Sequence, residues 1–201
     1  MKELLLATGN AKKLAELKRM LKGHGIRILG LDSFKGLPKI KEDKDTFRAN
    51  ARKKATEISK RVDKLVMADD SGLEVPALGN KPGIYSARYA GASQNDNKNI
   101  DKLLKQMRRF KGSKRRARFR CVVCLSKGSK VIRMVEGSVD GSITFKRQGI
   151  GGFGYDPVFM PQGFDKTFAQ IKPAAKDSIS HRGLALIEAR QAILRYFQRY
   201  H

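Results

Sequence analysis

Four short polar stretches carry the residue types from which phosphate chemistry is made. In "ATGNAKK", Thr8, Gly9 and Asn10 stand where an apolar run stops, with Lys12 and Lys13 directly after. Backbone N–H groups left open at a helix start, with the positive end of the helix dipole, attract an anion. Two lysines in a first helical turn oppose that dipole, and a bound phosphate is a factor that would favour them. The Gly-x4-Gly-Lys-Ser/Thr spacing of a P-loop is missing. In "MADDSGLEV", Asp69 and Asp70 follow a buried run, with Ser71 next. Neighbours in an extended chain point opposite ways, so one carboxylate faces a ligand and the other faces structure. A carboxylate at a strand end can hold Mg2+ or take a proton from water. In "GIGGFGYDPVF", four glycines surround Phe153, Tyr155 and Asp156; glycine lets backbone approach a ligand, and a ring can stack on a base. In "AAKDSISHRG", Lys176, His181 and Arg182 bracket a helix start, where phosphate charge and base contacts could meet. Taken alone, each stretch also reads as plain structure: a capped turn, an Asp-Ser-Gly turn, a glycine-rich turn between strands, a capping segment with solvated charges. Taken together they supply amides, lysines, carboxylates and a flat aromatic, the requirements of a nucleoside triphosphate with magnesium.

The elements that must position these residues follow from periodicity. Residues 2–7 read as a strand and 11–21 as a helix with Leu14, Leu17 and Leu21 on one face. Residues 26–31 read as a second strand. Residues 45–62 read as a long helix whose apolar stripe is Phe47, Ala51, Ala55, Ile58 and Val62, with Arg48, Arg52, Lys53, Lys54 and Lys60 on its other faces. A short buried strand over 65–68 leads into a long stretch rich in Gly, Pro and Ser that reads as irregular, and a segment of that length usually serves a function. A helix over 96–110 presents Ile100, Leu103, Leu104 and Met107. Two strands, 118–126 and 130–139, are joined by the turn "KGSK", and Ser180 reads as the N-cap of a last helix with Leu186, Ala189, Ile193 and Phe197 inward.

The 201 residues read as one domain, 1–201, and the strand–helix alternation as an α/β fold. No apolar run approaches the roughly 20 residues that cross a bilayer. Only Lys2 and Glu3 precede the first apolar run, which reads as a strand and not a signal peptide, so the expected location is cytoplasmic with no membrane partner. Cys121 and Cys124 form a lone C-x-x-C within a strand pattern, and His24, His181 and His201 are scattered, so the cysteines read as two ordinary thiols and not as a zinc site. The net charge is +24, and no acid occurs between Asp101 and Glu136. Such a field attracts polyanions, which predicts some non-specific nucleic-acid affinity beside a solvated basic face.

Five stretches in order, "ATGNAKKLAEL", "TFRANARKKA", "ADDSGLEVPALGNKPGIYSARYAG", "GGFGYDPVF" and "KDSISHRGLAL", make the chain resemble the inosine triphosphate pyrophosphatases almost end to end. The resemblance implies Mg2+-dependent hydrolysis of ITP, dITP and XTP to the monophosphate and pyrophosphate, cleansing the nucleotide pool. It implies an elongated, two-lobed α/β fold around a long mixed sheet, with the active cleft between lobes, and a homodimer. Carried over by position, Thr8, Gly9, Asn10, Lys12 and Lys13 would hold phosphates, and Lys54 would reach them from the long helix. Glu42 and Asp70 would bind metal, Asp70 would also be the catalytic base, and Ser71 a neighbouring substrate contact. Phe153, Gly154, Tyr155 and Asp156 would enclose the base, with Lys176, His181 and Arg182 as the remaining contacts. The family usually reads Phe-x-Glu-Asn-Ala where this chain has "FRANA", so Ala49 replaces a glutamate; on the resemblance, an acid near the metal is missing. Two alternatives stay open: a non-enzymatic polyanion or nucleic-acid binder on the same fold, and a pyrophosphatase for another modified nucleotide, as in the related septum-inhibitor-type enzymes.

Overall fold

The computed structural model describes residues 2–200, so His201 lies outside the described residues. The chain is α/β with one mixed sheet. Its strands are β1 (Lys2–Leu6), β2 (Ile26–Leu29), β3 (Leu65–Val75), β4 (Lys81–Pro82), β5 (Arg116–Lys127), β6 (Lys130–Ile143) and β7 (Phe159–Pro161), and its helices are α1 (Ala11–Met20), α2 (Phe47–Ser59), α3 (Asp96–Met107), α4 (Pro173–Ile179) and α5 (His181–Tyr200). The strand order is β2-β1-β3-β5-β6-β7, with β4 on β3. β1 runs parallel to both β2 and β3, whereas β3–β4 and β6–β7 are antiparallel.

The chain falls into two compact units of interleaved segments. The first takes the described residues up to Asp70, then Cys121–Gly137, then those from Leu184 onward; the second takes Ser71–Arg120 and Ser138–Gly183. The core of the first joins Leu4 and Leu6 of β1, Leu65 and Met67 of β3 and Cys121, Val123 and Leu125 of β5 to Leu17 and Leu21 from the first helix and to Leu186, Ala189, Ile193 and Phe197 of α5. Side chains two apart line one face of a strand, and residues three or four apart line one face of a helix; the helical members of this core were readable in advance. The second core is aromatic. Phe119, Phe159 and Phe168 pack at centroid distances of 4.6 to 6.2 Å, with Leu73, Ile100, Leu103 and Met107 around them.

Helix starts match local chemistry. Asn10 caps α1, accepting from the Lys12 and Lys13 amides at 2.9 and 3.3 Å. Thr46 caps α2 through the Ala49 amide at 3.1 Å, Asn95 caps α3, and Ser180 accepts from Gly183 at 3.0 Å at the head of α5.

One expectation is corrected. The run from Asp69 onward is not irregular: β3 continues to Val75, so Asp69 and Asp70 lie inside a strand and not after it. Asp, Ser and Gly are poor strand formers, but β3 is hydrogen-bonded to β5 and, at Glu74 and Val75, to β4, and such neighbours override that preference. The irregular remainder is built of short 3-10 turns at Pro76–Leu78 and Gly83–Arg88.

Candidate active site

In the first unit, the candidate residues gather around Asp69 and Asp70. The alternation of an extended chain sends the two carboxylates to different partners. Asp69, buried, accepts from Lys13 Nζ at 2.7 Å and lies 4.0 Å from the Cys121 thiol. The cation that sits unfavourably in the first turn of α1 thus has a counter-ion in β3. Asp70 faces α2 instead, where its Oδ1 is 3.7 Å from Lys54 Nζ. Lys54 also donates to Glu42 Oε1. Glu42 belongs to a loop without regular structure, and Asn50 of α2 fastens that loop. The Asn50 side chain is wholly buried, accepts from the Lys44 amide at 3.0 Å and donates to the Lys44 carbonyl at 3.2 Å.

Charge and burial compete in this cluster. Burial pushes the Asp70 carboxyl up to about 6; Lys54 opposes this, Glu42 adds to it, and the smaller effects of Lys13 and Asp69 oppose one another. Burial would lower Lys54, but the carboxylates of Asp70, Asp69 and Glu42 outweigh it and hold the ammonium above its ordinary value. Thr8, Gly9, Asn10 and Lys12 stand at the corner before and within α1. Thr8 Oγ1 accepts from the Asn10 amide at 3.2 Å, and the amides of Gly9 and Ala11 are not among those that Asn10 caps.

The donor set is that of a hard cation. Glu42 and Asp70 offer carboxylate oxygens, and no group of three or more His, Cys, Asp or Glu suited to a metal occurs among the described residues. A closed zinc site needs four N or S ligands. Mg2+ uses one or two carboxylates and completes its shell with water and substrate phosphate, so it fits this pair. Neither cysteine is in a disulfide, and both are buried.

In the second unit, the glycine-rich loop is pinned by two acids. Asp156, buried, accepts from the Phe153 amide at 2.8 Å and from Lys176 Nζ at 2.5 Å, while Asp96 accepts from the Gly154 amide at 2.8 Å. Gly152 has a left-handed φ of 71°, and a Cβ there would strike the Asp156 carboxylate. Tyr155 is buried in the aromatic core, and its hydroxyl donates to the Ser86 carbonyl at 2.9 Å. Of the "FGYD" segment, the Phe153 ring is the partly exposed one, with Lys176 Nζ 4.9 Å and the Arg182 guanidinium 5.2 Å from its centroid. Arg182 also donates to Ser71 Oγ at 3.2 Å. His181 is buried, its ring stacked on Phe119 at 4.4 Å.

A family model described as the Ham1 family matches residues 4–192. The chain belongs to the Ham1 family. It is 46% identical over 186 residues, 92% of this chain and 95% of the relative, to a protein of Bacillus licheniformis named dITP/XTP pyrophosphatase. It is 44% identical over 193 residues to a protein of the same name from Shouchella clausii, covering 96% and 97% of the two chains. The solved structure of a HAM1 protein from Coxiella burnetii matches with a TM-score of 0.88 at 35% identity, over 97% of this chain and all of that one.

Within this Ham1 chain, the structure brings Lys13, Glu42, Lys54 and Asp70 together in the first unit, and Ser71, Phe153, Lys176 and Arg182 together in the second. Ala49 stands elsewhere. It lines a groove on the far side of α2 with Arg48 and Arg52, whereas Asn50 and Lys54 are buried. Three supporting residues were not legible in sequence: Asn50, Asp96 and Ser86, which accepts from the Leu73 amide at 2.9 Å and donates to the Gly83 carbonyl at 2.6 Å. Asn50 directly follows the position where the family reads glutamate, and only its zero exposure signals its role.

Proposed function

We propose that this chain hydrolyses non-canonical purine nucleoside triphosphates, ITP, dITP and XTP, to the monophosphate and pyrophosphate. The observation that carries the reading is Lys54, a buried ammonium shared by Glu42 and Asp70 on a chain 46% identical to a dITP/XTP pyrophosphatase. A triphosphate carries about four negative charges, which repel an attacking water. Mg2+ held by Glu42 and Asp70 would neutralise phosphate charge and polarise the α-phosphorus.

The chain's own groups do the rest. Asp70 orients the water and takes its proton as oxygen attacks the α-phosphorus. The bond from that phosphorus to the bridging oxygen breaks, and pyrophosphate leaves with the electron pair. Lys54 and Lys13 turn from their carboxylates toward the oxygens on which charge grows. Thr8, Gly9, Asn10 and Lys12 hold the far phosphates at the corner before α1.

Phe153 offers its ring to the base, and Ser71, Lys176, His181 and Arg182 make the remaining contacts, with Tyr155 and Asp156 bracing the loop. Hypoxanthine and xanthine carry oxygen at C6 where adenine carries an amino group. The amides of Phe153 and Gly154 are already spent on Asp156 and Asp96, so the donor to that oxygen falls to the Lys176, His181 or Arg182 side chain. A donor left facing adenine's amino group gives discrimination of about 10⁴.

The reading also takes the chain as a homodimer in the cytoplasm; sedimentation at twice 22.5 kDa checks the first part. The deciding assay is pyrophosphate release with Mg2+ from ITP, XTP, ATP and GTP. Rapid release from ITP and XTP is expected. Single phosphate as product, or no turnover of any of the four, rejects the reading.

A further inference from the structure

The first unit carries a second feature for phosphate that the catalytic reading does not use. A groove of about 830 Å³ lies between α2 and the start of β6. Five cations line it, Lys44, Arg48, Arg52, Lys53 and Arg133, and no acid does. Asp43 pairs with Lys53 at 2.7 Å, which leaves four positive charges facing the space. Arg48 and Arg52 stand one turn apart on the exposed face of α2, a spacing at which like charges disfavour a helix. Ala49 lies between them on the same wall, at the position where the resembling family reads glutamate. A glutamate there would be the third helical residue after Thr46, the reciprocal place in a capping box, and would set a carboxylate among these cations. This chain has given up that cap and that neutralising charge together.

The geometry points to a docking groove for the phosphodiester backbone of a nucleic acid, running along the outer face of α2 and the adjoining edge of β6. Three observations choose this occupant. The charge is complementary to a polyphosphate strand. No aromatic residue lines the groove, so bases find no stacking platform and recognition is of backbone, independent of sequence. The lining offers little exposed apolar surface, which does not suit a bilayer. Ile132 at 39% exposure is too little apolar surface to insert into lipid.

The test is fluorescence anisotropy of the full chain with a labelled mixed-sequence DNA duplex of about 20 base pairs. About four phosphates neutralised give a slope of log K on log salt near −3.5, or about 10²-fold weaker binding at 200 mM than at 50 mM salt. The triple variant Arg48→Ala, Arg52→Ala, Arg133→Ala should flatten the slope to about −1 while ITP hydrolysis stays unchanged. A control that removes three cations elsewhere, Lys105→Ala, Arg108→Ala, Lys111→Ala, should keep most of the slope. The single change Ala49→Glu should weaken duplex binding and raise the melting temperature by closing the capping box, so a loss of binding there is not a loss of fold. Equal losses in groove and control variants would assign the binding to diffuse charge and overturn the proposal. So would an unchanged slope in the groove variant, or its loss of binding to anionic lipid vesicles with duplex binding intact. Because ITP turnover is read separately, failure here leaves the pyrophosphatase reading standing, and the reverse also holds.

Discussion

The two faces of α2 treat the same kind of side chain in opposite ways. On one, Lys54 is buried, and a loop glutamate and a strand aspartate hold it. On the other, Arg48 and Arg52 reach into a groove that no acid lines. Propensity does not separate them, since Lys and Arg are both good helix formers. The difference lies in what the fold brings up to each face. A cation with carboxylates on hand is positioned for chemistry, because it can be handed between counter-ions. Cations without them form a field that waits for a polyanion.

Substitutions can break or sharpen that contrast. The largest effect is expected from Asp70→Asn, which should cut ITP turnover about 10²–10⁴-fold in a pyrophosphate-release assay. Arg52→Ala in the same assay should leave turnover intact, and a comparable fall would erase the contrast. Next comes Lys54→Met, which removes one donor to the leaving group. Turnover should drop about 10²-fold, and the urea midpoint should fall as well, because Asp70 and Glu42 then share a buried site without their cation. Asn50→Ala should be milder. It leaves the Lys44 amide and carbonyl without their side-chain partner, costing about 1–3 kcal/mol by urea unfolding. It should also raise the Mg2+ concentration for half activity, since the loop carrying Glu42 loosens, and leave the duplex-binding slope as it was.

The smallest effect is a pH slope. The folded Asp70 holds its proton up to about pH 6, against an ordinary value of 3.8. Over that window the native chain binds more protons than the unfolded one, so this group's contribution makes stability fall as pH rises from about 4 to about 6. Urea titrations of Asp70→Asn should lack that part of the slope. A slope identical to wild type would show that the carboxyl is not raised by burial.

Much of this was legible in the residues. The stripes of α1 and α5 named much of the first core and that of α3 part of the second, because burial follows the period of the element. Asn10, Thr46 and Ser180 sit at helix starts because their side chains satisfy amides that the helix leaves open. The extent of β3 was not legible. "DDSGLEV" has the composition of a turn, and the strand persists there because β5 and, at its end, β4 pair with it. Nor was the place of Tyr155, whose ring looks available in sequence but is buried with its hydroxyl on Ser86.

The sequence by itself determined the family, the run of elements and the set of charged residues that phosphate chemistry requires, since motifs, periodicity and composition are properties of a linear string. Only the tertiary structure decided which charge meets which. Lys13 finds Asp69 56 residues away, and Lys54 finds Glu42 and Asp70 from either side along the chain. Ala49 walls a basic groove and does not face the cluster of Glu42, Lys54 and Asp70, because a helix sends residues 49 and 54 to different faces. Electrostatic energy depends on distance and burial, and neither is written in the order of the residues.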